Sequence, residues 1–183
     1  MAGKNQAFNK LFPASVCLLA ALLTTLLFGQ MTESKEKATG AVKATEFELK
    51  DQYNQVTSYR FPKDKVTILI FGDRKGSEQI EGWVRPLWDR YQDRIDQKGV
   101  AVLNSVPSFM RGVVRAIFKT QVKHSVLLDW KGDISQAYGY QSGQANLYVI
   151  DRGGQIVMKL LGGVKEQELQ KLYGKVDQLL SMP

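Results

Sequence analysis

The feature that most constrains this chain is a short apolar run that leads, through a charged turn, into a strongly amphipathic segment. The run 66–71 is mostly β-branched or aromatic, which predicts a buried central strand. After the turn, apolar residues recur at helical spacing, so we predict a helix lying on a sheet. We expect Lys98 and Gly99 to end this helix. Its predicted buried face comprises Ile80, Trp83, Val84, Leu87, Trp88, Tyr91 and Ile95.

The turn between this strand and this helix is a candidate binding site. Free backbone N–H groups and a partial positive charge meet at a helix N-terminus, and two cations in the turn add to them. An anion such as a carboxylate or a phosphate headgroup would suit that environment. Two structural interpretations stay open: Asp73 pairs with a neighbouring cation, or Ser77 is simply the N-cap of the long helix. The candidate residues are Asp73, Arg74, Lys75, Gly76 and Ser77.

The rest of the sequence alternates extended and helical segments. Strands that are connected through helices run parallel, because the crossover returns the chain to the same edge of the sheet. We therefore predict an α/β fold with a central mixed β-sheet flanked by helices on both faces. The predicted strands are two pieces within 45–61, then 100–106, 125–129 and a hairpin of 146–151 with 155–161; further helices follow Pro107 and cover 134–138 and 165–180.

The helix predicted after Pro107 has an apolar face and a basic stripe. Like charges four residues apart slightly destabilise a helix, so the stripe is either screened by solvent or faces phospholipid headgroups or an acidic partner. The stripe comprises Arg111, Arg115, Lys119 and Lys123. The predicted buried face comprises Met110, Val113, Val114, Ile117 and Phe118.

Composition removes several classes of chemistry. The 183 residues suit one ordinary domain plus a tail. A single cysteine, Cys17, rules out an intrachain disulfide, a dithiol pair and a thiolate metal cluster. A single histidine, His124, disfavours a histidine metal site or relay, so we predict no metal, cofactor or catalytic residue. The net charge of +7 suits an anionic partner, either nucleic acid or an acidic membrane surface.

The N-terminal segment 1–29 predicts export. A basic flank followed by the apolar run 11–28 is typical of a signal-anchor or a signal peptide. The run is long enough to span a membrane and no clear cleavage site follows it, so we favour an anchor. Cleavage after the run would instead give a secreted protein. The basic flank predicts that the rest lies in the periplasm or an equivalent lumenal space. Residues 30–44 have the composition of a flexible tether, which leaves 45–183 as the domain.

Two short motifs in this chain resemble those of a known family. Residues 47–51, Phe-Glu-Leu-Lys-Asp, with Asn54 where glycine is common, look like the F-x-L-x-D opening of the thioredoxin-like superfamily in its redoxin or thiol-peroxidase (AhpC/TSA-type) branch. Residues 145–156, A-N-L-Y-V-I-D-R-G-G-Q-I, look like its P-T-x-F-x-I-D-x-x-G-x-I hairpin. The resemblance covers about 45–180 and implies a thioredoxin-like fold.

The same resemblance shows what the chain lacks. The branch carries its reactive C-x-x-C or single cysteine in the turn before the long helix, where this chain has residues 73–78. The cis-proline that faces those cysteines corresponds to Ala145. A thiolate is the nucleophile of disulfide exchange and of cysteine-based peroxide reduction, and serine without a base cannot replace it. We therefore expect a divergent member with a cysteine-free domain, in which both reactions are excluded.

Three functions remain open on these grounds. We favour a membrane-tethered, non-catalytic binding or assembly factor outside the cytoplasm. Its protein partner is unidentified and lies either in the membrane or outside it. The second is a non-redox enzyme or anion site at the turn, assisted by His124 or Asp129. The third is a basic module that binds anionic lipid or nucleic acid through its stripe, and export argues against nucleic acid.

Overall fold

The computed structural model describes residues 42–182. Its strands are β1 (Val42–Lys43), β2 (Phe47–Lys50), β3 (Val56–Tyr59), β4 (Thr67–Gly72), β5 (Asp96–Val102), β6 (Val126–Asp129), β7 (Asn146–Ile150) and β8 (Gln155–Leu161). Its helices are α1 (Arg74–Ser77), α2 (Glu81–Tyr91), α3 (Arg111–Gln121), α4 (Asp133–Ala137) and α5 (Glu166–Ser181). Short 3-10 turns at Gln92–Arg94 and Ser108–Met110 follow α2 and precede α3.

A six-stranded mixed sheet of order β1-β8-β7-β4-β5-β6 forms the centre, and β2 and β3 form a separate two-stranded sheet. Strand β4 pairs parallel with β5 and antiparallel with β7, and β5 pairs parallel with β6. All six residues of β4 are buried, as expected of a central strand covered on both faces. The parallel order predicted for strands joined through helices therefore holds for β4, β5 and β6, and the C-terminal hairpin is confirmed, whereas the two pieces within 45–61 pair antiparallel.

Helices flank the sheet unequally. Successive residues of β4 point to opposite faces, so Ile68 and Ile70 pack with α2 and α5, whereas Leu69 and Phe71 pack on the other side. Helices α2 and α3 share the first face, because two right-handed crossovers in one direction along the sheet must lie on the same side. The second face is covered by the β2–β3 hairpin and by the short α4, whose Ile134 packs there.

Helix α2 ends earlier than predicted. It stops at Tyr91, and Gln92 then adopts a positive φ of 47° that breaks the helix without a glycine. Lys98 and Gly99 lie inside β5, so the prediction that they end the helix is wrong.

Trp88 was predicted to be buried, and this is wrong. Trp83 and Leu87 are fully buried, whereas Trp88 is 56% exposed. The line through residues 83, 87 and 91 faces the sheet, and Trp88 is rotated about 100° from Leu87 around the helix. The buried face of α5 agrees better with prediction, with Leu169, Leu172, Val176 and Leu179 all buried.

The apolar residues of α3 do not form one buried face. Only Val114 and Phe118 of the predicted five pack against the sheet, over Ala101, Leu103 and Leu128. Met110, Val113 and Ile117 are exposed, so their predicted burial is wrong. The apolar positions span about half the helix circumference, which is wider than the stripe that one sheet face can cover.

The domain includes three residues, 42–44, that sequence analysis assigned to the tether. Val42 and Lys43 form β1 and pair antiparallel with Ile156 and Gln155 at the edge of the sheet. Within residues 42–182, none of the helices is both long and apolar enough to cross a membrane. The signal or anchor predicted at 1–29 lies outside the described residues, as does most of the predicted tether.

Candidate functional site

The predicted turn lies at the C-terminal edge of the central strands. Asp73 follows β4 and is the N-cap of α1, as its extended backbone and side-chain bond show. Strand β7 runs antiparallel to β4, so the loop before β7 meets the turn at this edge. A Cβ added to Gly76 would lie 2.5 Å from the Gln144 carbonyl oxygen. Glycine therefore permits the close contact between the turn and this loop.

The Asp73 carboxylate holds the turn and the loop together. One oxygen accepts the Gly76 N–H at 2.8 Å and the other accepts the Gly143 N–H at 2.7 Å. The Asp73 N–H itself donates to the Tyr140 hydroxyl at 2.8 Å. Desolvation raises the pKa of Asp73, but the N–H bonds from Gly76 and Gly143 outweigh it and the net pKa lies below its usual value. An internal anion therefore occupies the amides of the turn.

Ser77 is not the N-cap of the long helix, so that interpretation is wrong. Ser77 is the last residue of α1, and its hydroxyl donates to the Arg74 carbonyl oxygen at 2.7 Å. The N-cap of α2 is Ile80, which makes no side-chain capping bond. A nucleophilic serine needs an adjacent base, and in this structure its hydroxyl proton is directed at a backbone oxygen.

Arg74 and Lys75 are exposed beside the turn. The open interpretation that Asp73 pairs with one of them is not what the structure shows, because its carboxylate bonds to backbone N–H groups instead. Among residues 42–182, the ion pairs involve neither cation. The side chains at this edge therefore present positive charge to solvent while the amides beneath are occupied.

Sequence analysis missed the loop that faces the turn. The Asn146 amide donates to the carbonyl oxygens of Gln141 and Gln144 and accepts from the Gln141 N–H. The Gln79 side chain accepts the Ala145 N–H at 3.1 Å, at the position where relatives are expected to carry proline. The Asn146 bonds stay within the loop, whereas the Gln79 bond joins two segments that are 66 residues apart and so carries no local sequence signal.

His124 and Asp129 do not assist the turn together. They stand at opposite ends of β6, about 16 Å apart at the rise of a strand, and only Asp129 lies at the edge of the turn. Asp129 is buried and accepts the N–H groups of Gly132 and Ser135. His124 is exposed at the far edge, where its carbonyl oxygen accepts from Gln52. Neither of these two residues is therefore placed to act as a base for Ser77.

The basic stripe divides into two parts. Arg111 and Arg115 are half-buried, and both guanidinium groups lie over the Trp130 ring at 5.6 and 5.8 Å from its centroid. Lys119 and Lys123 are exposed. Within the described part of the chain, no three His, Cys, Asp or Glu side chains are grouped as ligands for a metal.

We predict that Asp73→Asn lowers the free energy of unfolding by about 1 kcal/mol at neutral pH, since an amide oxygen keeps only one of the two bonds. A lowered carboxyl pKa stabilises the fold above the unfolded value, near pH 4, and that contribution is lost as pH falls through the folded value. The difference between variant and wild type should therefore shrink in acid.

Urea unfolding at a series of pH values measures this difference. Asp93→Asn is the matched control, because Asp93 is exposed in the 3-10 turn after α2. A pH-independent difference for Asp73→Asn, or an equal loss in the control, would contradict the role of the carboxylate.

Solved structures with a thioredoxin-like fold are similar to this one. The exposed lipoprotein thioredoxin Etrx1 of Streptococcus pneumoniae is 18% identical, with 74% of this chain and 100% of that chain covered and a TM-score of 0.59. A thioredoxin-family thiol:disulfide interchange protein of Chlorobium tepidum is 17% identical, with 77% and 97% covered and a TM-score of 0.55. BsSco, a member of the Sco family of cytochrome c oxidase assembly proteins, is 10% identical, with 80% and 98% covered and a TM-score of 0.56.

At these identities the structural likeness shows the fold alone. No curated protein matches the sequence significantly. The model of the AhpC/TSA family matches residues 41–159, which run from β1 into β8 and include both the turn after β4 and the loop before β7. The chain therefore belongs to the AhpC/TSA family and is a thioredoxin-like redoxin whose only cysteine is Cys17.

Proposed function

We propose that this protein is a membrane-tethered, extracytoplasmic redoxin-like domain that binds a protein partner and performs no thiol chemistry. The observation that carries the proposal is the Asp73 carboxylate, which accepts two backbone N–H groups at the turn where the family is expected to present a thiol. A thiolate is required for both of the family's expected reactions. Both the carboxylate and the N–H of Asp73 are bonded within the domain, and residues 73–78 contain no sulfur.

The positive edge beside the turn supports recognition of an acidic segment. Arg74 and Lys75 are exposed beside a turn in which the Asp73 carboxylate already accepts the Gly76 N–H, so an incoming carboxylate would meet these two side chains. Guanidinium and ammonium groups bind carboxylates by charge-assisted hydrogen bonds. We propose that the partner presents an acidic loop or terminus at this edge of the sheet.

The tether and compartment in this proposal come from the sequence. The apolar run 11–28 follows a basic flank, which is the pattern of an exported and anchored protein. Two of the similar folds, Etrx1 and BsSco, are an exposed lipoprotein and a member of a family of assembly proteins. That combination supports an assembly or binding role at a membrane.

Site-directed photocrosslinking in the native cell tests the proposal. A photoreactive residue at position 75 of the full-length chain should capture one specific partner. When the photoreactive residue is placed at a neighbouring position instead, the pair Arg74→Ala and Lys75→Ala should lower the yield of the crosslinked partner. A photoreactive residue at position 55 is the control, since Gln55 is exposed in the turn bonded to the opposite end of β6.

Two results would overturn it. Equal capture at positions 75 and 55 would remove the case for a partner at the turn. Turnover of a peroxide or a disulfide by the purified Cys17→Ser chain would show chemistry that needs no thiol, and so contradict a purely binding role.

A further inference from the structure

Helix α3 presents an apolar surface to solvent as well as to the sheet. We call it the outer face and define it by Phe109, Met110, Val113 and Ile117, which are 81%, 37%, 51% and 45% exposed. Residues 109, 113 and 117 are four apart and so form one line along the helix. The inner residues Val114 and Phe118 already fix α3 to the sheet, so the outer face is not needed for packing.

The stretch of chain that carries the outer face has charges of one sign. Residues 97–128 contain five cations and no Asp or Glu, which gives this stretch +5 of the chain's net +7. Four of the five cations are the basic stripe, and the fifth, Lys98, alternates with Val100 and Val102 and so faces the other side of the sheet. Exposed Lys119 is separated from the outer face around the helix only by the small residues Gly112 and Ala116. A helix with an apolar ridge and only cations among its charged residues is the pattern of helices that lie in a membrane interface.

We propose that the outer face of α3 docks on an anionic phospholipid surface. The apolar side chains would enter the boundary between headgroups and acyl chains, and the lysines beside them would meet lipid phosphates. Helix α2, on the same face of the sheet, differs in carrying charges of both signs on its solvent side, with Glu81, Arg85 and Asp89 exposed.

The length of chain before β1 permits this contact. The docking proposal rests on the membrane tether of the proposed function and not on its protein partner. The sheet is about 24 Å wide from β1 to β6, because five strand spacings separate them. The thirteen residues 29–41, between the apolar run and β1, reach at most about 45 Å when extended. A domain held by β1 can therefore bring a helix over β5 and β6 to the bilayer.

Lipid-quenched fluorescence on the full-length chain tests the docking. In a Cys17→Ser background, Ile117→Cys is labelled with an environment-sensitive fluorophore and the chain is reconstituted in vesicles. The label should be quenched by spin-labelled lipid when phosphatidylglycerol and phosphatidylcholine are mixed equally, and much less in phosphatidylcholine alone. Lys171→Cys is the control label, on the exposed side of α5, and should stay unquenched in both.

Charge reversal provides the second arm. Lys119→Glu with Lys123→Glu should weaken docking at least about 25-fold, because each lysine near an anionic surface contributes about a fivefold factor. Lys171→Glu with Lys175→Glu makes the same change in net charge at the same spacing on α5, and should leave docking unchanged.

The possible outcomes distinguish docking of α3 on lipid from anchoring of the chain in the membrane. A chain that floats with vesicles while its position-117 label stays unquenched overturns the docking and leaves the tether intact. A label that is shielded in native membranes but not in lipid vesicles overturns it in favour of a protein occupant. A chain that neither floats nor quenches contradicts both the tether and the docking.

Discussion

Replacing Trp83 by alanine is expected to lower the free energy of unfolding by about 3–5 kcal/mol. The indole is fully buried in the cluster that joins α2, the sheet and α5. Its Nε1 donates to the Gly162 carbonyl oxygen at 2.8 Å, at the end of β8. Alanine would leave a cavity and remove the donor from that oxygen. Urea unfolding followed by far-ultraviolet circular dichroism measures the loss.

Trp88→Ala is the matched control, because it makes the same change about one and a half turns further along the same helix. Trp88 is 56% exposed, so its removal should cost less than about 1 kcal/mol. Trp83→Phe should fall between the two, since it keeps most of the apolar volume but loses the hydrogen bond. Equal losses at positions 83 and 88 would contradict the orientation of α2.

These two tryptophans show what helical periodicity predicts and where it fails. Both tryptophans stand at spacings that fit an apolar face of the helix. The pattern alone does not say which residues at the edge of that face are buried. The edge of the buried face is set by contacts with α5, because Arg90 and Tyr91 of α2 both bond to the Asp177 carboxylate of α5. Those partners lie 86 and 87 positions away along the chain, so no local pattern reports them.

Elements with a strong local pattern were predictable. Strand β4, the β7–β8 hairpin and α5 each follow from an apolar run or period, and the turn after β4 lies at the sheet edge where it was expected. Strand β1 was not predictable, because both of its residues are exposed and the chain is held there by backbone pairing with β8. Its side chains therefore carry no apolar signal.

The position of the candidate site was predictable from the sequence, but its hydrogen bonds were not. The sequence locates Asp73 before a helix, and N-capping by an aspartate follows from that position. Its second bond goes to Gly143 and its N–H bonds to Tyr140, about seventy residues away. Tyr140 is partly buried by this contact, and burial together with the Asp73 charge raises its pKa to about 12. Only the assembled sheet edge brings these groups together.

The two proposed surfaces lie at related positions in the sheet. The turn follows β4, and Phe109 at the start of the outer face follows β5, the parallel neighbour of β4. The carboxyl ends of adjacent parallel strands lie at one edge of a sheet. A partner bound at the turn would therefore stand near the lipid surface on which we propose α3 docks, which is the arrangement expected for a membrane-embedded partner.

Asp129→Ala is expected to lower the free energy of unfolding by about 2–4 kcal/mol, because it leaves two buried N–H groups without an acceptor. The Asp129 carboxylate is 1% exposed and accepts the Gly132 N–H at 2.9 Å and the Ser135 N–H at 2.8 Å. These bonds fix the path from β6 into α4, whose Ile134 covers the second face of the sheet.

The neighbouring Asp133 supplies the control for this change. It is an exposed aspartate in the first turn of α4, so Asp133→Ala removes the same side chain without orphaning a buried donor and should cost below about 1 kcal/mol. Asp129→Asn keeps one acceptor oxygen and should recover part of the loss. If denaturation midpoints fell equally for Asp129→Ala and Asp133→Ala, the buried carboxylate would not be what holds α4 to the end of β6, and the second face of the sheet would depend on the β2–β3 hairpin instead.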